Sequence, residues 1–93
     1  MRFDIDNQRP VIDHYGVTEQ TIVWMEELDE LGQAASKCYR DPSGERVADM
    51  AEEIADVLIC IRQMMQTYGI NQNLVQGIIC EKQDRQRRRI EKE

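Results

Sequence analysis

Two stretches of this chain put carboxylates where a helix should be apolar: EELDELGQAASK, residues 26–37, and VADMAEEIADVLICIRQMM, residues 47–65. At about 100° per residue, Val23, Leu31 and Ala34 fall within roughly 40° of Glu27, with Trp24 and Leu28 farther round the same side. Glu27 therefore projects from inside an apolar arc. Glu30 lies at the edge of that arc, with Gln20 and Lys37 on the same general face, whereas Glu26 and Asp29 point to solvent. The second stretch repeats the anomaly: Glu53 is flanked by Met50, Val57, Cys60 and Met64, and Asp56 sits at the edge beside Asp49.

A buried, unpaired carboxylate is costly, and several brought together repel, so protons, basic side chains or a cation must neutralise such a cluster. Glu27 and Glu30 precede the Asp41-Pro42 turn by about as much as Glu53 and Asp56 follow it, so antiparallel helices joined there bring all four acids to one level. Four oxygen donors without His or Cys favour Mg²⁺ or Mn²⁺ over Zn²⁺. The single histidine, His14, also excludes the paired Glu-x-x-His motifs of di-iron bundles. The competing reading makes these acids ordinary surface partners at i, i+3 and i, i+4. Two mirrored pairs inside apolar arcs weigh against it.

Near the C-terminal end, ICEKQDRQRRRI places Lys82, Arg85 and Arg89 along the border of an apolar side that carries Val75, Ile78 and Ile79. Guanidinium forks and an ammonium group suit phosphate oxygens, so a basic helix facing a divalent-cation cluster is equipment for a polyphosphate. Arg87, Arg88 and Lys92 read as solvated charges that complement the helix dipole.

Helices must position these groups. Charged residues form 32% of the 93-residue chain and aromatic residues 5%, a balance that suits helices better than a sandwich or barrel. Pro10, Gly16, the Asp41-Pro42-Ser43-Gly44 cluster and Gly69 are the strong punctuation. They predict a short helix over about residues 8–15 with Pro10 in its first turn, then a helix from an N-cap at Thr18 to Arg40. A further helix is expected from Glu45 to Tyr68, ended by Gly69, and a last one from Gln72 to Ile90, capped by Asn71. The fold class is therefore read as all-α: an antiparallel helical bundle of three long helices plus a short N-terminal helix. Residues 1–93 form one domain, small enough that oligomerisation naturally completes its core.

The net charge of -6 argues against general nucleic-acid binding, although six of the twelve Lys and Arg residues lie between Lys82 and Lys92. Cys38, Cys60 and Cys80 read as reduced packing cysteines. No apolar run approaches a membrane span, and MRFDIDNQRP has acids where a signal peptide needs an apolar run, so a soluble, cytoplasmic protein without a membrane partner is expected.

EELDEL, followed after the turn by EEIADVL, resembles the E-x-x-E and E-x-x-D signature of MazG-like nucleoside triphosphate pyrophosphohydrolases, the all-α NTP pyrophosphatases. The resemblance spans about Thr18 to Ile90, with Gln20 ahead of the first acids, Lys37 closing that helix, and a K-x-x-R-x-x-x-R run formed by Lys82, Arg85 and Arg89. It implies Mg²⁺-dependent hydrolysis of a nucleoside triphosphate to the monophosphate and pyrophosphate, in the service of nucleotide-pool sanitation or control. Glu27, Glu30, Glu53 and Asp56 would be the metal ligands, and Glu27 or Glu30 the base towards the attacking water. Gln20, Lys37, Lys82, Arg85 and Arg89 would meet phosphate or substrate. Apart from the resemblance, His14 with Tyr15, and Trp24, are candidates to stack on or hydrogen-bond a base, with core packing the better reading of Trp24. Many family members carry asparagine where this chain has Gln86, so sugar preference does not follow. The family further implies a homodimer or homotetramer whose sites borrow residues from a neighbouring chain.

A contrasting reading is a non-enzymatic helical interaction module, with the acids as registry charges and the basic end docking an acidic partner or nucleic acid. A degenerate relative that binds nucleotide without cleaving it is a third.

Overall fold

Local signals divide the chain largely where the sequence predicts. In the computed structural model, which describes residues 2–93, four α-helices follow one another: α1 (Arg9–Tyr15), α2 (Val17–Arg40), α3 (Gly44–Tyr68) and α4 (Gln72–Lys92). No strand occurs among the described residues, and the fold is all-α. Pro10 occupies the first turn of α1, where a missing N–H costs nothing. Ser43 caps α3 by accepting the Arg46 backbone N–H, and Asn71 caps α4 by accepting that of Asn73. Gly69 closes α3 in the left-handed conformation at φ 64°. The expected cap at Thr18 is not used. Gly16, at φ 85°, sits between α1 and α2, so the helix begins one residue before Thr18 and its first turn receives no side-chain cap.

The main packing is among α1, α2 and α3, with α2 against α3 and α1 touching both. The apolar core is small: Ile12, Trp24, Val57 and Cys60 are its buried members. Three glutamines, Gln8, Gln20 and Gln63, are buried with them. Gln63 joins the others. Its Oε1 accepts from Gln20 Nε2 at 2.9 Å and from Trp24 Nε1 at 2.8 Å, while its Nε2 donates to Gln8 Oε1 at 2.9 Å. Gln66, one turn away, accepts the Gln8 backbone N–H at 2.7 Å and donates to Asn7 Oδ1 at 2.6 Å. The segment before α1 is thereby tied to α3 through amides rather than through apolar contact.

α4 stands apart and buries none of its residues. Leu74, Ile78, Ile79 and Ile90 are exposed along it, and Cys80, expected as a packing cysteine, is exposed with them. The other two cysteines are also free, Cys60 buried and Cys38 half-buried. The radius of gyration is 16.1 Å, against about 12 Å for a compact domain of this length. The accessible surface is 7518 Å², where a compact monomer of this mass would expose about 5,600 Å². Among the described residues no helix is long and apolar enough to cross a membrane.

Replacing Gln63 by Leu strands the Trp24 indole N–H, the Gln20 amide and the Gln8 carbonyl oxygen in the core. The expected loss is on the order of 3 kcal/mol in urea unfolding, whereas Gln83→Leu on exposed α4 should change stability by less than about 0.5 kcal/mol. Equal effects at the two sites would refute the hub role of Gln63.

Candidate metal and phosphate site

Glu27 and Glu30 project from α2, and Glu53 from α3, so that a carboxylate oxygen of each lies within 4.8 Å of the other two. The helices deliver them by simple periodicity: Glu27 follows Trp24 by one turn, and Glu53 precedes Val57 by one turn, so each acid stands next to a buried residue. Three of the four acids expected at one level thus come together, and the fourth does not. Asp56 is exposed and outside the close set, and acts on it by charge.

Burial is asymmetric within the group. Glu27 and Glu53 are half-buried, and Oε2 of each is shielded from solvent with no hydrogen-bond partner. Glu30 is exposed at the edge. Burial pushes the Glu27 carboxyl above the usual glutamate range, and the charges of Glu30, Asp56 and Glu53 push it further. Glu53 is pushed up by burial and then by Glu30 and Asp56. The Cys60 thiol lies close to the same group: burial, followed by the charges of Glu27 and Asp56, raises it to about 11. It is a neutral packing group at physiological pH.

Beside the acids, where the last turns of α2 meet the first turns of α3, runs a cleft of about 210 Å³. Glu30, Gln33 and Lys37 line it from α2, and Arg46, Asp49 and Glu53 from α3. Lys37, expected to meet substrate, is thus in the cleft. Arg46 is a cation that periodicity alone did not single out. It lies outside both acidic motifs, and its signal is that it precedes Glu53 by seven residues, as Lys37 follows Glu30 by seven. The cleft volume is below the 300 Å³ or so at which small-ligand pockets usually begin.

The remaining expected site residues fall elsewhere. Gln20 is buried with its amide committed to Gln63, and Trp24 is 4% exposed with its indole N–H committed to the same oxygen. Both are core residues here, not phosphate or base contacts. His14 and Tyr15 are exposed at the end of α1, stacked edge to face at 4.6 Å. Lys82, Arg85 and Arg89 are exposed on α4, which leaves them away from the carboxylates within one chain.

No family model, curated protein or solved structure matches the chain, so the functional reading rests on these residues and their geometry.

The raised carboxyls carry a definite pH sign. A glutamate whose folded pKa lies above its unfolded value keeps a proton that the unfolded chain releases, so stability falls as pH rises through that interval and the full penalty persists above it. In chelator-treated buffer, Glu53→Gln is therefore expected to melt higher than the wild type at neutral pH, and the gap should close as pH falls towards 4.5. Thermal denaturation across pH measures it. A variant that melts no higher at neutral pH would show that charge repulsion is not a burden on the fold.

Proposed function

We propose that the protein is a divalent-metal-dependent nucleoside triphosphate pyrophosphohydrolase, cleaving ribo- or deoxyribonucleotides to the monophosphate and pyrophosphate. The observation that carries this reading is the convergence of Glu27, Glu30 and Glu53 beside a cleft that also holds Lys37 and Arg46. Acids alone are commonplace on charged helices. Acids with shielded, unpartnered oxygens beside a phosphate-sized cleft with its own cations are a narrower match.

The donor set fits a hard cation. Three carboxylates from two helices offer only oxygen, and the free Oε2 atoms of Glu27 and Glu53 are the groups that a cation would satisfy. Glu27, Glu30 and Glu53 would hold Mg²⁺, or Mn²⁺ in its place, with Asp56 at the rim. Bound Mg²⁺ supplies neutralising charge to phosphate oxygens and makes a coordinated water more acidic. Glu27 and Glu53 orient the group from the packed side. Glu30, the exposed member that also lines the cleft, is assigned as the acceptor of the water proton. The water oxygen bonds to the α-phosphorus, the bond from that phosphorus to the bridging oxygen breaks, and the electron pair leaves with pyrophosphate. Lys37 balances the charge of the phosphate chain.

In this reading α2 and α3 form an antiparallel pair and a second copy of the chain completes the bundle, as a homodimer or homotetramer. What supports it is the excess of roughly 1,900 Å² of surface over a compact monomer, well above the 800 Å² or so that one partner loses in a standard interface. Such a neighbour would bring Lys82, Arg85 and Arg89 of its α4 towards these acids and could enclose the nucleoside.

The bare, basic α4 also favours the second reading, a helical interaction module without catalysis. The two part on one experiment. Incubation of the protein with a panel of ribo- and deoxyribonucleoside triphosphates and Mg²⁺ is expected to release pyrophosphate from at least one, with Glu53→Gln reduced to background. Mg²⁺ should also raise the melting temperature of the wild type and not of the variant. Turnover of no nucleotide together with absence of a Mg²⁺ shift would leave the interaction module standing.

A further inference from the structure

We propose that Lys37 and Arg46 form a diphosphate clamp at the turn end of the cleft, which fixes the direction in which a bound triphosphate lies. The inference rests on the pyrophosphohydrolase reading of this cleft and adds to it the residue that grips the leaving group.

Lys37 stands seven residues after Glu30 on α2, and Arg46 seven residues before Glu53 on α3. Seven residues are close to two turns, so each cation shares a helix face with its acid, about 10 Å along the axis towards the connecting turn. The cations therefore mirror each other across the cleft, as the acids do. One end of the cleft is acidic and suited to a metal, and the other bears a positive charge on each wall.

Among the described residues neither cation makes a side-chain hydrogen bond. Lys37 makes no ion pair or side-chain hydrogen bond among the described residues. Arg46 has one ionic neighbour there, Asp49 at 4.0 Å, which is beyond hydrogen-bond reach and between exposed groups. Its guanidinium N–H groups stay available for a bidentate phosphate contact. Asp49 and Glu52 are the competing charges in the same cleft, and they make a lone phosphate without a cation a poor occupant.

The geometry orders the substrate. With the α-phosphate at the carboxylates, the β- and γ-phosphates extend towards Lys37 and Arg46, and the nucleoside leaves on the side away from the turn. Arg46 then holds the half of the molecule that departs as pyrophosphate and does not touch the half that departs as the nucleoside monophosphate.

The test is calorimetric titration of the full chain with inorganic pyrophosphate in excess Mg²⁺, run on wild type, Arg46→Ala, Arg46→Lys and Lys37→Ala, with Mg²⁺ alone titrated in parallel. Arg46→Ala is expected to weaken pyrophosphate binding about tenfold or more and Arg46→Lys by less, with Mg²⁺ affinity and melting temperature unchanged. A wild type that binds no pyrophosphate, an Arg46→Ala variant that binds it like the wild type, or a variant that loses Mg²⁺ affinity and stability together would each overturn the clamp. A wild type that binds pyrophosphate through Arg46 yet hydrolyses no nucleotide would overturn the hydrolase reading and keep the clamp.

Discussion

The side-chain amide of Gln63 sets the register of α2 on α3. An apolar stripe lets one helix slide past another by a turn at modest cost, because one Leu or Met replaces the next. A buried amide does not. Gln63 Oε1 takes two donors from α2, and its Nε2 reaches Gln8, so a shift of one turn would strand several polar groups in a core with four apolar members. The carboxylates inherit this precision. Glu27 lies one turn beyond Trp24, and Glu53 faces it from α3 because Gln63 faces Trp24; the acidic level is a consequence of the glutamine level.

That inheritance explains why the acids can be tolerated at all. Glu27 and Glu53 are half-buried in a register fixed elsewhere, so their repulsion is not relieved by sliding. The alternatives are a proton on a carboxyl pushed upward, or a cation between the oxygens. The Cys60 thiol, raised by the same burial and the same charges, responds to this field without adding chemistry to it.

Much of this was legible in the residues. Helix ends followed Ser43, Gly69 and Asn71 because caps and left-handed glycines are local chemistry, and the convergence of Glu27, Glu30 and Glu53 followed from equal spacing about one turn. The expected Thr18 cap failed because Gly16, which can hold a positive φ, let α2 start earlier. Trp24 was legible as a core residue, but Gln20 was misplaced, because the partner of both, Gln63, lies on another helix, and periodicity reports a face without naming what meets it. Arg46 was missed because its meaning depends on lying across a cleft from Lys37, a relation between two helices that neither motif contains. The α4 stripe was the same problem in a larger form, since Val75, Ile78 and Ile79 declare a buried face and this chain supplies no partner for it.

The bare face of α4 is not arbitrary in its charge. Arg85 lies about as far after the Gly69–Asn71 link as Asp56 lies before it, so a helix returning along α3 would carry its cations to the acidic level. Instead α4 presents that pattern outward, and its apolar residues with it. The chain thus separates its charges: the convergent acids belong to α2 and α3, and half of all its Lys and Arg residues to the last helix. Separation of this kind lowers the repulsion within neither part, and it is resolved only when one part meets its complement. The opposite charge lies on α2 and α3 of the same sequence, where the acids converge.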